Sequence, residues 1–256
     1  MKVGGKVIFL CRDARGYGPA IFGALHPSPN SSLQTSYSLS HSPTATLFLA
    51  KESFDLSLEK YGIKDTKASG DIVNFVDSQG LSQVSVILLQ NYEPPFAVCA
   101  VNEVLASIMV EKSSDVPTLI LPSFVSAQKV NREMANSTQT NQKGPVYGAQ
   151  IGFKTDFTEA LTGGIQEAPP SLQVSCEPLA GLLQLVHVLK LPTVVLIGSI
   201  GQQQAGRTED QEIEVLHELG ELLASRLRLH FSGDTICWDT KDRSQDIQES
   251  WRALYG

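Results

Sequence analysis

Residues 177–197 read EPLAGLLQLVHVLKLPTVVLI, and this stretch decides the fold. Apolar residues recur at three- and four-residue spacing from Leu179 to Lys190, which predicts a helix with one apolar face. Pro178 suits the first turn of that helix, and Pro192 ends it. Thr193–Ile197 is a β-branched run, which predicts a buried central strand. A helix that leads directly into such a strand is typical of an α/β layered protein.

Other segments repeat this alternation of strand and helix. Apolar residues lie at helical spacing over Phe96–Glu111, between strand candidates at Val84–Leu89 and Pro117–Pro122. A strand, a helix and a second strand within some 40 residues indicate a βαβ crossover, which implies parallel strands. Further candidates are strands at Lys6–Leu10, Thr46–Ala50 and Tyr147–Phe153, and a long helix from Thr208 to about Leu229. The sequence therefore predicts an α/β fold class, a single layered domain with a mostly parallel sheet and helices on both faces.

Two segments stand apart from this pattern. Residues at about 26–44 are rich in serine and proline and have no sustained period, which predicts a long, mobile surface loop. Residues 244–256 are charged and then end on apolar and aromatic residues, which predicts a tail with a short helix. We therefore expect the α/β domain to occupy residues 1–243.

The composition excludes some classes of partner. The chain carries a formal charge of −7, so no broad basic face is available for nucleic acid or for an anionic membrane. Its apolar runs are too short for a membrane span or a signal peptide. The four cysteines lie far apart without metal-ligand spacing, so we expect buried free thiols, no metal and an intracellular location: Cys11, Cys99, Cys176 and Cys237.

A glycine loop is the candidate for small-molecule chemistry. Gly198–Gly201 follows the predicted central strand at its carboxyl end, where α/β sheets bind ligands. The spacing matches no dinucleotide fingerprint, P-loop or nucleophile elbow. Two interpretations therefore remain, a simple turn and the site of a phosphorylase- or hydrolase-like enzyme. We expect no cofactor and no catalytic set.

Two further patterns have structural explanations. Gly16, Gly18 and Gly23 follow the first strand with the wrong spacing for a dinucleotide site, which favours a flexible turn. The acidic residues of the helix that starts at Thr208, among them Glu212, complement the helix dipole and need no catalytic role.

The C-terminus is the strongest functional candidate. Leu254 can fill an apolar groove, Tyr255 adds a rigid aromatic body with a hydroxyl, and the carboxylate of Gly256 can pair with a lysine. The alternative is that Tyr255 packs back on the chain's own domain. Because three residues bind weakly alone, a second anchor would raise the effective concentration of the tail.

Three stretches resemble one family, the proteasome assembly chaperones. They are Thr155–Leu161 (TDFTEAL), Glu177–Ile197 and the tail Leu254–Gly256, within a likeness that covers mainly Phe153–Gln202 and the C-terminus. The resemblance implies a fold related to purine nucleoside phosphorylases and no enzymatic activity. It also implies a heterodimer with a second assembly chaperone that helps to build the α-ring of the proteasome core particle. In that family a hydrophobic-Tyr-X tail enters a pocket between α subunits, which assigns this role to Leu254, Tyr255 and Gly256. The cytoplasm is the expected location, with the nucleus as a further compartment.

Overall fold

Strands and helices alternate along most of the chain. The computed structural model describes residues 1–13, 15–28, 47–110, 116–127, 130, 146–172, 176–200 and 208–236. The strands are β1 (Lys6–Cys11), β2 (Leu25–Pro27), β3 (Phe48–Ser57), β4 (Lys67–Val76), β5 (Ser82–Leu89), β6 (Thr118–Ser126), β7 (Val146–Ile151), β8 (Gln166–Glu167), β9 (Thr193–Ile200) and β10 (Leu229–Phe231). The α-helices are α1 (Tyr17–Ala24), α2 (Phe96–Val110), α3 (Asp156–Thr162), α4 (Glu177–Val188) and α5 (Thr208–Leu227).

Eight strands form one sheet in the order β3-β4-β5-β1-β6-β9-β7-β8. The central strands β5, β1, β6 and β9 are parallel to one another. Antiparallel pairs lie outside them, between β3, β4 and β5 and between β9 and β7. The predicted α/β domain with a largely parallel sheet is confirmed. The phosphorylase-like character of the fold stays a prediction.

Side-chain alternation along the central strands divides the core into two layers. Val195 and Ile197 of β9 pack on the face covered by α2 and α4. Val194 and Leu196 of the same strand pack on the face covered by α1 and α5. Because successive side chains point to opposite faces, the β-branched run of β9 is buried on both sides. The prediction of helices on both faces is confirmed.

Strand β6 is longer than the sequence predicts, since it passes through Pro122. The N–H of Thr118 donates to a carbonyl of Gly5, which precedes β1, and the N–H of Leu119 donates toward β9. Successive residues of a strand alternate in this way, so the nitrogen of Pro122 faces the β1 side. The pairing of β1 with β6 ends at Ile120, and the missing N–H therefore costs no ladder hydrogen bond.

The expected loop at 26–44 begins later than the sequence indicates. His26 and Pro27 belong to β2, which pairs antiparallel with β10 in a separate two-stranded sheet. Leu25 and Phe231 are each 2% exposed, so burial of this pair holds the strand in place. The remainder of the proposed loop, from residue 29, and the tail at 244–256 lie outside the described residues.

Candidate functional site

A cavity opens where β1 and β6 separate. The two strands pair from Lys6 to Ile8 and from Thr118 to Ile120, and then β1 continues beside β5 while β6 continues beside β9. The space between their carboxyl ends has a volume of ≈ 210 Å³. From β1 the chain goes on to the β5 side of the sheet, and from β6 to the β9 side. A crevice of this kind is where open α/β sheets bind ligands.

The wall of the cavity is mostly apolar. Its residues come from the carboxyl ends of β1 and β6, from the turn and helix after β1, and from the start of α4: Phe9, Leu10, Cys11, Asp13, Arg15, Tyr17, Gly18, Ile21, Pro122, Ser123, Phe124, Cys176, Leu179 and Leu182. The rings of Tyr17 and Phe124 lie 4.3 Å apart between centroids, at an interplanar angle of 32°. Ser123 is buried and brings a hydroxyl to the wall.

Asp13 organises the turn that leads from β1 into α1. Its carboxylate accepts hydrogen bonds from the backbone N–H groups of Arg15 at 2.8 Å and Gly18 at 3.0 Å. Gly16 takes a φ of 77°, the left-handed region that glycine adopts without strain. The prediction of a flexible turn for the glycine cluster is therefore wrong, because Gly16 lies in a hydrogen-bonded turn and Gly18 and Gly23 belong to α1.

Arg15, Tyr17 and Glu212 form a polar group at the rim. The Arg15 guanidinium lies 3.5 Å from the Glu212 carboxylate and 3.4 Å from the Tyr17 hydroxyl. The Glu212 side chain is 9% exposed, whereas that of Arg15 is 60% exposed. Glu212 thus pairs with a residue 197 positions away, a role that its place in an acidic helix did not reveal.

Burial raises the pKa values of two groups in the cavity wall. It raises the pKa of the Cys11 thiol to about 12, with further contributions from Cys176 and Asp13. Burial likewise raises the pKa of Tyr17 to about 12. Both groups are therefore neutral at pH 7, and Cys11 is a poor nucleophile there because the thiolate is the reactive form.

The described part of the glycine stretch proposed as an enzyme site is filled at Gly198. Gly198 and Ile200 belong to β9, and Gly201 lies outside the described residues. A Cβ added at Gly198 would lie 2.8 Å from the Phe124 ring and 2.9 Å from a methyl group of Val215. The absence of a side chain at Gly198 thus admits neighbouring side chains and leaves no space for a ligand there. The loop interpretation of Gly198–Ile200 is wrong, because this part of the stretch extends the strand.

Three exposed apolar residues lie near the start of β9, at the end of the strand away from the cavity. They are Phe153, Val188 and Leu189, which are 64%, 75% and 50% exposed. A Cβ at Gly152 would lie 2.1 Å from the Leu191 carbonyl oxygen, so the segment before Phe153 packs directly on the turn after α4. We call these three residues the α4-end patch. Its residues belong to the stretch that resembles the assembly chaperones.

The described residues limit some classes of site. They contain no cluster of three or more histidine, cysteine or acidic side chains that could hold a metal ion. Among them, no helix has the length and apolar content to cross a membrane. The proposed docking residues Leu254, Tyr255 and Gly256 lie outside the described part of the chain.

Comparisons with known proteins give one family and several distant structures. A family model described as "Domain of unknown function (DUF7894)" matches residues 1–256. No curated protein matches the chain.

Among solved structures, three similar chains have proteasome-related or family titles. PbaB of Pyrococcus furiosus, an archaeal proteasome activator, is 9% identical, with 100% of this chain and 96% of that chain covered and a TM-score of 0.48. A proteasome-assembly chaperone homologue of Mycobacterium tuberculosis is 11% identical, with 97% and 99% covered and a TM-score of 0.44. A PAC2 family protein of Streptomyces avermitilis is 10% identical, with 93% and 91% covered and a TM-score of 0.44. At these TM-scores the likenesses carry no argument about function.

Proposed function

Because the chain belongs to the family described as a domain of unknown function (DUF7894), we propose its function from its own residues and from the chaperone family that they resemble: it is a non-enzymatic assembly chaperone of the proteasome core particle. It is of the chaperone 1 type, pairs with a second assembly chaperone and docks on α subunits of the α-ring through its C-terminal tail. It acts in the cytoplasm and in the nucleus.

The C-terminal residues carry this proposal. Leu254, Tyr255 and the Gly256 carboxylate provide an apolar anchor, an aromatic body and a terminal charge in consecutive positions. A groove between two subunits with a lysine at its end complements all three features. The tails of the chaperone family that the sequence resembles enter such a groove between neighbouring proteasome α subunits.

The chemistry of the cavity supports a binding protein over an enzyme. Its rim groups are occupied with one another, as in the contacts of Arg15 with Glu212 and Tyr17. Burial raises the pKa of the Cys11 thiol to about 12, so its reactive thiolate form is far rarer at pH 7 than that of an exposed cysteine. Gly198, the start of the proposed catalytic loop, is packed against Phe124 and Val215. No described observation favours the phosphorylase or hydrolase alternative.

Truncation of the tail tests the docking role. We expect deletion of Leu254–Gly256 to lower the amount of proteasome α subunits captured from cell extract at least about tenfold, because avidity is lost with one of two anchors. Tyr255→Ala and the addition of residues after Gly256 are expected to act in the same direction. Quantitative mass spectrometry of the captured α subunits is the measurement.

Arg252, two residues before Leu254, supplies a matched control. Arg252→Ala changes the tail but keeps its last three residues, so capture of α subunits is expected to stay unchanged. Equal capture by the intact and truncated chains would remove the tail from the proposal and favour a Tyr255 that packs on its own domain.

The α4-end patch is the surface that we propose for the second chaperone. Val188 is 75% exposed and Leu189 50% exposed, whereas Val186, on the opposite side of the same helix, is fully buried. Apolar side chains this exposed lose contact with water when a partner covers them, which favours association.

A charge at Val188 tests that surface. We expect Val188→Asp to lower recovery of the second chaperone at least about tenfold, because a buried unpaired carboxylate opposes association. Gln184→Asp, an exposed position one turn earlier on α4, is the control and is expected to leave recovery unchanged. Co-purification of two tagged chains measures the pair. Equal recovery with both variants would place the interface elsewhere on the chain.

A further inference from the structure

We propose that the cavity between β1 and β6 is a binding site for an uncharged small molecule with one aromatic ring and one hydrogen-bonding group. This site shares no residue with the α4-end patch or with the proposed docking residues Leu254–Gly256, so it goes beyond the chaperone function proposed above.

The sheet itself creates the opening. After Ile8 and Ile120 the two strands no longer pair, although each continues on its outer side with another strand. The separation is therefore a fixed feature of the sheet, held by β5 on one side and β9 on the other. Helices α1 and α4 contribute walls from opposite faces.

The volume limits the size of the ligand. At ≈ 210 Å³ the space is somewhat larger than the apolar cavity of about 150 Å³ that is known to bind benzene. One aromatic ring with a short substituent fits this volume, whereas a nucleotide or a second ring system would have to extend through the open mouth of the cavity into solvent.

The aromatic and aliphatic walls favour a ring. Phe9 and the tilted pair of Tyr17 and Phe124 provide aromatic surface. Leu179 and Leu182 close the space from the α4 side. Tilted and offset arrangements are those that aromatic rings prefer among themselves.

The charges at the rim select an uncharged ligand. Arg15 is engaged by Glu212 and by the Tyr17 hydroxyl, and the Asp13 carboxylate accepts backbone N–H groups. A charged ligand would lose its hydration and meet groups that already interact with one another, which is unfavourable. Ser123 offers the wall a hydroxyl that can donate to or accept from a neutral ligand.

Three probes with the same ring test the chemistry. Benzyl alcohol, benzoate and benzylammonium differ in charge, and each is titrated into the full chain at pH 7 by ligand-observed NMR. We expect benzyl alcohol to bind with a Kd of about 1 mM, in the range for so small a molecule. Its affinity is expected to exceed that of both charged probes at least tenfold. Equal or tighter binding of a charged probe, or no saturable binding of benzyl alcohol, would overturn the proposal.

A filled cavity tests the location. Ser123→Leu occupies the space from β6 and is expected to lower benzyl alcohol affinity at least tenfold. Ser126→Leu makes the same change on the same strand outside the cavity wall, and its affinity is expected to stay unchanged. Loss of affinity in neither or in both variants would contradict this location.

Alkylation of two cysteines measures occupancy of the cavity in the unaltered chain, so this test does not depend on the folding of Ser123→Leu. Cys176 is exposed, contrary to the expectation of a buried thiol, and lines the cavity, whereas Cys99 is partly exposed on α2 and does not line it. Saturating benzyl alcohol is expected to slow alkylation of Cys176 by iodoacetamide at least threefold and to leave Cys99 unchanged, as read by peptide mass spectrometry. An unchanged Cys176 rate at saturation would show that the probe binds elsewhere.

Discussion

The Gly18→Ala variant is expected to lose about 3 kcal/mol of its free energy of unfolding, the upper end of the usual range for overpacked sites. A Cβ at this position would lie 2.1 Å from the carbonyl oxygen of Cys11 and 3.4 Å from a methyl group of Leu88. Because the clashing atom belongs to the backbone of β1, the whole of α1 must shift to relieve the contact. Chemical denaturation followed by circular dichroism gives the free energy.

Gly23 provides the matched control for this substitution. It lies on the same helix, and a Cβ added there meets nothing within 4 Å. Gly23→Ala is therefore expected to raise the free energy of unfolding by about 0.4–1 kcal/mol, because alanine restricts the unfolded chain. Equal effects at the two glycines would show that α1 does not pack on β1 as closely as the structure has it.

The sequence predicted the parts of the fold that repeat a local period. The apolar spacing of α4 and the β-branched run of β9 indicate which side chains are buried, because side chains return to the same face of a helix or strand at a fixed period. The exact ends of the helices and strands were harder to predict from the sequence. Helix α4 stops at Val188, and Lys190 beyond it has a φ of 52°, which no apolar pattern encodes. Strand β6 continues past Pro122 because β1 has ceased to pair there.

The cavity was harder to predict because its parts are distant in sequence. Arg15 and Glu212 come together only when α1 and α5 pack on the same face of the sheet. The one local signal was the run of glycines after β1, which is typical of a strand that leads into a helix at the edge where ligands bind. The Gly198 stretch gave a similar signal at the neighbouring strand, but side chains from β6 and α5 fill that space.

The thiol of Cys11 is expected to alkylate about 10²-fold more slowly in the native protein at pH 8 than in the urea-unfolded protein. Burial raises its pKa from the ordinary value of 9.0 to about 12, so the thiolate fraction falls about 10³-fold. The more basic thiolate is about tenfold more nucleophilic, which offsets part of this loss. Quenched iodoacetamide labelling with peptide mass spectrometry measures the rate, and the native rate of exposed Cys176 shows that the reagent is active.

The same thiol gives the stability a defined dependence on alkaline pH. A folded-state pKa above 9.0 means that the unfolded chain releases the Cys11 proton first as the pH rises. The stabilising contribution is therefore complete below pH 9 and is lost as the pH rises toward 12, by about 2 kcal/mol at pH 10.5. Tyr17 acts in the same direction, because burial also raises its pKa to about 12.

The difference between the wild-type chain and Cys11→Ala isolates the thiol: the variant is expected to lose less free energy of unfolding between pH 8 and 10.5. An equal loss of free energy of unfolding in the two chains would mean that the Cys11 thiol is not shielded from water. Native alkylation of Cys11 would then be as fast as in the unfolded chain.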